Sequence, residues 1–211
     1  MTQRELDRLK MLIAFDFAQC PDGPVFGLDE AGRGALVGPV VAACVRMNCA
    51  LPIEGINDSK RVSPAKRERI AKHIREQAIC YGIGLATEAE IESHNILVAT
   101  KMAMARAFVA MDGGDGFLLI DAIDPSFIGQ RGCGIVKGDS KSYAVAAASI
   151  LAKTHRDELM RRLSDEYPGY GFEVHKGYGT KAHIDAIREI GPCPCHRPSF
   201  LKGILNGTKY E

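Results

Sequence analysis

Val25-Phe26-Gly27-Leu28-Asp29-Glu30-Ala31-Gly32-Arg33-Gly34 decides the reading of this chain. An apolar run of strand length, Val25 to Leu28, stops abruptly at two adjacent acids, and an arginine between two glycines follows. Gly38-Pro39 then opens a second run, Gly38 to Val45, rich in valine and alanine. Two such runs with a glycine-built turn between them read as a hairpin-like antiparallel pair. The acids therefore fall at the carboxyl end of a strand, beyond which ligands bind in open α/β sheets. Neighbours on a strand point to opposite faces, so Asp29 and Glu30 share one site only where the strand has ended or bulged.

Working outward, strand-like and helix-like segments alternate, which predicts an α/β domain. Ser63-Pro64 announces a helix over Ala65 to Ala78, with Ser63 as the cap and proline at the first helical position. Ile79 to Leu85 reads as a strand, and Ile96 to Met111 as a helix stopped by Gly113-Gly114. Phe117 to Ile120 is a short apolar strand ending in Asp121. Gly132 to Gly138 holds another strand and delivers Asp139. The longest helix is expected from Ser142 to Glu166, before Pro168. Thr180 caps a last helix that runs to Ile190 and stops at Gly191-Pro192. From about residue 168 the chain is rich in glycine and proline, which fits a small C-terminal extension (168–211) on a single domain (1–211).

Composition narrows the class. Of the 211 residues 46% are apolar and 25% charged, the balance of an ordinary globular protein rather than a disordered or fibrous one. No run approaches the roughly 20 apolar residues of a membrane span, and the charged N-terminus lacks a signal-peptide core. A cytoplasmic protein without membrane contact is the expectation. Seven scattered cysteines, an odd number, argue against a disulfide framework. Cys193-Pro194-Cys195-His196 gathers ligand-type residues but falls short of the four that a closed zinc site needs, so ordinary packing cysteines are favoured there. The net charge of +1 is uninformative, yet Asp58 to Arg75 carries an excess of five positive charges. Such a stretch suits either a phosphate backbone or a solvated helix face.

Three acids, Asp29, Glu30 and Asp121, sit at strand tips, and Asp139 stands ahead of the long helix, whose amides favour an ionised carboxylate. Like charges gathered at one sheet edge would force one to stay protonated unless a cation joins them. Four hard oxygen donors without histidine or cysteine suit Mg²⁺ or Mn²⁺ rather than zinc. Two such ions can activate a water and stabilise the leaving oxygen of a phosphodiester. Taken singly, an acid at a strand end is more often a turn former or cap.

With these residues in place, the chain resembles the type 2 ribonuclease H family. The resemblance rests on Gly27 to Gly34 with Gly38-Pro39, and on Asn57-Asp58-Ser59-Lys60 with Ser63-Pro64 and Arg67-Glu68. It continues through Leu119-Ile120-Asp121, Lys137-Gly138-Asp139-Ser140, Ala146 to Thr154, Lys176 to Thr180 and His196 to Phe200, in order and almost without a gap. It implies an RNase H-like fold, a mixed five-stranded sheet flanked by helices with a small helical C-terminal extension. It also implies that Asp29, Glu30, Asp121 and Asp139 are catalytic and hold two Mg²⁺ or Mn²⁺ ions.

In that family Gly32-Arg33-Gly34 recognises the ribonucleotide 2′-hydroxyl, largely through main chain, and Tyr178 stacks on the neighbouring deoxyribose. Glycine lets a backbone approach a sugar closely, and the 2′-hydroxyl distinguishes RNA from DNA. Lys60 is expected on phosphate, and Arg197 as a structural anchor. The short stretch ahead of Asp29 resembles the single-chain bacterial branch. The expected substrates are RNA–DNA hybrids and duplex DNA with embedded ribonucleotides, cut 5′ of the ribonucleotide to leave 5′-phosphate and 3′-hydroxyl ends. A monomer with no obligate protein partner is the default. Two other readings remain open. A non-cleaving hybrid-binding module leaves four acids unexplained, because carboxylates repel phosphate without metal. A junction resolvase or exonuclease of the same fold leaves the ribose-directed loop and Tyr178 unexplained.

Overall fold

The computed structural model describes residues 1–57, 59 and 62–205. Five strands, β1 (Val25–Ala31), β2 (Val40–Arg46), β3 (Cys80–Ala86), β4 (Phe117–Asp121) and β5 (Gly132–Ile135), form one sheet in the order β3-β2-β1-β4-β5. β1 pairs antiparallel with β2, and β2 with β3, whereas β1–β4 and β4–β5 are parallel. The sheet is therefore mixed, with β1 at its centre. The hairpin expected from Gly32 to Pro39 is present, with Gly27 opposite Val45 and Ala31 opposite Val41.

Eight α-helices accompany the sheet among the described residues: α1 (Gln3–Gln19), α2 (Pro64–Gln77), α3 (Glu88–His94), α4 (Ile96–Met111), α5 (Tyr143–Glu166), α6 (Phe172–His175), α7 (Lys181–Ile190) and α8 (Pro198–Leu205). Strand alternation sorts them into layers. Phe26, Leu28, Ala42, Cys44, Leu118 and Ile120 face Ala99, Ala103 and Ala107 of α4. Ala43 and Val45 face the other way, onto Ile70 and Ile74 of α2, Leu9 and Leu12 of α1, and the alanine-rich start of α5. The small residues of α5 let it lie close to the central strand. A Cβ at Gly27 would fall 2.0 Å from the Ala144 carbonyl carbon, so only glycine fits under the helix there.

Several boundaries differ from expectation. β1 does not stop at Leu28 but carries Asp29, Glu30 and Ala31 in regular register with β2. Ser63 occupies the cap position of α2 in extended conformation, yet its side chain makes no capping hydrogen bond. α1 was not foreseen. Its apolar residues are diluted by charge, but Leu9, Leu12 and Asp16 recur at helical spacing and are buried, and the Thr2 hydroxyl accepts from the Glu5 amide. Asp16 ties this helix to the start of α5 by accepting from the Ala144 amide at 2.8 Å.

After Glu166, α6, α7 and α8 gather a separate apolar cluster: Tyr170, Phe172, Ile187, Leu201 and Ile204 pack on Met160 of α5 and on Leu36-Val37 of the β1–β2 loop. The C-terminal helices thus lean directly on the loop that follows the two strand-tip acids. No helix among the described residues is long and apolar enough to cross a membrane.

Candidate active site

Asp29, Glu30, Gly32, Arg33, Gly34, Asp121, Asp139 and Tyr178 line one cleft of about 480 Å³ at the carboxyl ends of β1 and β4. Ser59, Ser149 and Lys153 complete its wall. Lys60, the remaining residue expected at the site, lies outside the described residues, as do Asp58 and Arg61.

Strand geometry explains how the two adjacent acids come together without a bulge. Asp29 and Asp121 share the α5 face by alternation, whereas Glu30 belongs to the α4 face. The parallel β1–β4 pairing ends at Leu28 with Ile120, so β1 runs on past its neighbour's end. Glu30 therefore projects beyond the end of β4 instead of into a packed layer, and both carboxylates line the same cleft. Asp121, the last residue of β4, accepts from the Gly138 amide at 2.7 Å. That bond fixes the short 3₁₀ turn Gly138–Ser140, on which Asp139 sits half-buried ahead of α5.

Electrostatically the acids are crowded. Burial raises Asp29 well above the usual carboxylate range, the adjacent Glu30 charge and Asp121 raise it further, and hydrogen bonds from Ser149 and the Glu30 amide offset this only in part. Burial likewise raises Glu30; Arg33, whose Nη1 lies 3.2 Å from Glu30 Oε1, opposes that, and Asp121 adds to it. Glu30 Oε2 is buried with no protein hydrogen-bond partner. An orphaned carboxylate oxygen among like charges is the environment a hard divalent cation relieves. The donor set, all oxygen, fits Mg²⁺ or Mn²⁺.

The glycine loop is held from behind by two arginines. Arg197, fully buried, donates from Nη1 to the carbonyls of Arg33 (3.1 Å) and Ala35 (2.8 Å) and from Nε to Gly38 (2.9 Å). Arg156 of α5, also fully buried, reaches the carbonyls of Val37 (2.9 Å), Pro39 (3.3 Å) and Lys176 (2.8 Å). With several carbonyls turned inward to these guanidiniums, the loop is fixed by main chain rather than by its own side chains. Gly32 is required twice over: its φ is +96°, and a Cβ would lie 2.0 Å from Arg156 Nε. Gly34 is different, because nothing lies within 4 Å of its added Cβ.

Tyr178 stands on the turn between α6 and α7. Its ring carries Lys153 Nζ at 5.5 Å and the Arg156 guanidinium at 5.4 Å, both within cation–π range. Lys153 also pairs with Asp157 at 2.6 Å, and Asp157 in turn takes the buried Arg67 of α2 at 2.8 Å. One residue of the basic helix is thus spent inside the protein. Lys66, Arg69 and Lys72 remain exposed. Sequence reasoning expected the acids and the loop but missed Lys153, Arg156 and Ser149. Their signal was the spacing 149, 153 and 156 on α5, one helical face.

Comparison with known proteins places this architecture among RNase H-like enzymes. A ribonuclease H2 from Pyrococcus horikoshii OT3 superposes with a TM-score of 0.71 at 26% identity, covering 89% of this chain and 99% of that one. Bst-RNase HIII in complex with Mn²⁺ shares the fold, with a TM-score of 0.65 at 21% identity over 98% of this chain and 74% of that one. The family model for ribonuclease HII matches residues 26–202. A ribonuclease HII from Ruminiclostridium cellulolyticum is 46% identical over 204 residues, 96% of this chain and 80% of that protein. The chain belongs to the ribonuclease HII family. It is therefore an endoribonuclease of the RNase H type, which cleaves RNA in RNA–DNA hybrids, and the reading as a non-cleaving module falls away.

Proposed function

We propose that the chain hydrolyses the phosphodiester on the 5′ side of a ribonucleotide, both in hybrids and in duplex DNA with an embedded ribonucleotide, leaving 5′-phosphate and 3′-hydroxyl ends. The observation that carries this reading is the shared cleft: four carboxylates meet the Gly32–Gly34 loop and Tyr178 within one space of about 480 Å³. Asp29, Glu30, Asp121 and Asp139 would hold two Mg²⁺ or Mn²⁺ ions, which when bound supply an activated water and charge stabilisation at the leaving oxygen.

The chain's own residues divide the remaining work. The Gly32–Gly34 main chain, held by Arg156 and Arg197, presents a preset surface to the ribose 2′-hydroxyl. Tyr178, its ring flanked by Lys153 and Arg156, offers a flat face to the next sugar. Lys153 and Arg33 bring positive charge to the cleft for phosphate. Bst-RNase HIII, which shares the fold, is a protein solved in complex with Mn²⁺, and this is in keeping with divalent-metal use here.

The test uses a DNA duplex with one internal ribonucleotide beside an all-DNA duplex and an RNA–DNA hybrid. A single Mg²⁺- or Mn²⁺-dependent incision 5′ of the ribonucleotide, lost in Asp29→Asn and Asp121→Asn, is expected. Full activity in either variant removes the assignment of the acids, and cutting of the all-DNA duplex removes the ribose requirement.

A further inference from the structure

The C-terminal cluster contains a second group of ligand atoms, far in chemistry from the acidic cleft. Cys193 Sγ, Cys195 Sγ and a ring nitrogen of His196 lie within 4.8 Å of one another on the loop between α7 and α8. Cys193 Sγ is 3.1 Å from Cys195 Sγ and 3.0 Å from His196 Nδ1. Both cysteines are reduced, Cys195 and His196 are buried, and Cys193 is half-exposed, so the group opens to solvent on one side.

The hydrogen bonds decide which nitrogen of His196 faces the sulfurs as a lone pair. His183 Nδ1 lies 2.9 Å from the Tyr178 carbonyl, which can only accept, so Nδ1 carries the proton. Neutral His183 then has a bare Nε2, and His196 Nε2, 3.2 Å away, must donate to it. His196 Nδ1 is then left unprotonated and accepts from the Cys193 amide at 3.0 Å, its 3.2 Å approach to the Cys193 carbonyl being no hydrogen bond in this tautomer, and a bound cation would take the lone pair from the amide. Metal-ligating histidines share this arrangement: one nitrogen unprotonated, the other donating to a partner that fixes the ring. Tyr170 and Phe172, stacked at 5.1 Å, wall the site on the protein side.

We propose that Cys193 Sγ, Cys195 Sγ and His196 Nδ1 form a binding site for a thiophilic cation of the Zn²⁺ class, separate from the acidic cleft, with solvent as the fourth ligand on the Cys193 side. Two sulfurs and one imidazole nitrogen suit zinc and not Mg²⁺. Tetrahedral zinc with bonds of about 2.3 Å sets its sulfurs roughly 3.8 Å apart. The observed 3.1 Å therefore has to open by less than 1 Å, within the reach of side-chain rotation. Each thiol gives up its proton to solvent as the cation binds, a step that burial of Cys195 resists until the cation is present. Occupancy would lock the His196–His183–Tyr178 chain, so the cation would brace the turn that carries Tyr178. The sequence alone set this motif aside because it supplies three ligands; an open fourth position removes that objection.

The test is direct binding to reduced full-length protein, without reference to nuclease activity. Stoichiometric Co²⁺ should give a near-ultraviolet thiolate-to-metal band with visible ligand-field bands, and one equivalent of Zn²⁺ should abolish them. The oxygen-only cleft gives no sulfur band, so the two sites are distinguished in one spectrum. Cys193→Ser, at the half-exposed position, and Cys195→Ala, each checked for fold by circular dichroism, should lose the band. Absence of a thiolate band in the reduced protein, or a band that survives in both variants, overturns the site.

Discussion

Arg197 Nη1 donates to the main-chain carbonyl of Arg33 at 3.1 Å, from a guanidinium with no exposed surface and no carboxylate among its hydrogen-bond partners. Burial and the neighbouring Arg156 bring Arg197 down to about 10, which leaves it charged at neutral pH. Its hydrogen bonds go to backbone oxygens, with the Phe200 ring 5.3 Å from the guanidinium and the Glu88 and Glu92 charges near enough to favour it, so loop and arginine stabilise each other. Arg197→Met would leave the carbonyls of Arg33, Ala35 and Gly38 without their donor. The expected loss is about 3–5 kcal/mol in unfolding free energy by denaturant titration. Arg197→Lys, with fewer donors, should recover only part of it.

The two glycines of the loop should separate fold from function. Gly32→Ala meets positive φ and the Arg156 side chain together, and should cost at least about 1–3 kcal/mol of stability. Gly34→Ala meets open space, so its unfolding free energy should stay within the scatter of ordinary surface changes, about 0.5 kcal/mol. If the Gly34 main chain approaches the ribose, that same variant should lose at least tenfold in kcat/KM on a single-ribonucleotide duplex. A Gly34→Ala protein with unchanged kcat/KM would remove Gly34 from the substrate surface.

In the metal-free protein, the raised folded-state values of Asp29 and Glu30 make the cleft pH-sensitive. A carboxyl raised above its unfolded value contributes stability at low pH and loses it as pH rises through the folded value. Thermal stability in EDTA should therefore fall as pH rises from acid toward neutral, and excess Mg²⁺ should reverse that fall. Asp29→Asn should be more stable than the wild type in EDTA near neutral pH and should lose that advantage in Mg²⁺. A wild-type curve that is flat with pH in EDTA contradicts the crowding.

Asp16 offers the same sign without a metal. Burial raises it to about 6 against the hydrogen bonds from the start of α5. Its stabilising share is present below about pH 4 and lost as pH rises through about 6. Asn accepts the Ala144 amide equally well, so Asp16→Asn should stabilise the protein above pH 6 by about 1–3 kcal/mol and flatten that part of the profile. Equilibrium unfolding at pH 5 and pH 8 measures the difference.

The readable part of the chain was where one residue type does one job. Apolar runs ending in acid marked β1 and β4, glycine pairs closed α4, and Thr180 announced α7, because strand period and caps are local signals. Residues that a motif set in adjacent positions, such as Asp29, Glu30 and the Gly32–Gly34 loop, do line one cleft, as the spacing led one to expect. What stayed hidden depends on distant partners. Arg156 and Arg67 look like surface charges until the carbonyls of Val37 and Lys176, and the Asp157 carboxylate, are seen around them. α1 was hidden by its charges, since only three of its seventeen residues are buried. The convergence of Asp29 and Glu30 turned on where β4 stops beside β1, a register fact that alternation within one strand does not contain.

The mixed sheet also draws the cleft from distant parts of the chain. β1, β2 and β3 are joined by antiparallel pairing near in sequence, so the meander that displays Asp29 and Glu30 lies within residues 25–86. Asp121 joins them only through the parallel pairing of Val25 with Phe117, and the arginine that fixes the loop arrives at residue 197. Distant parallel pairing is slow because its closure entropy precedes its reward. The cleft thus depends on pairings between residues far apart in the chain. A segment ending before β4 carries Asp29 and Glu30 but neither Asp121 and Asp139 nor the arginine that holds the loop, so the cleft belongs to no part of the chain shorter than nearly the whole.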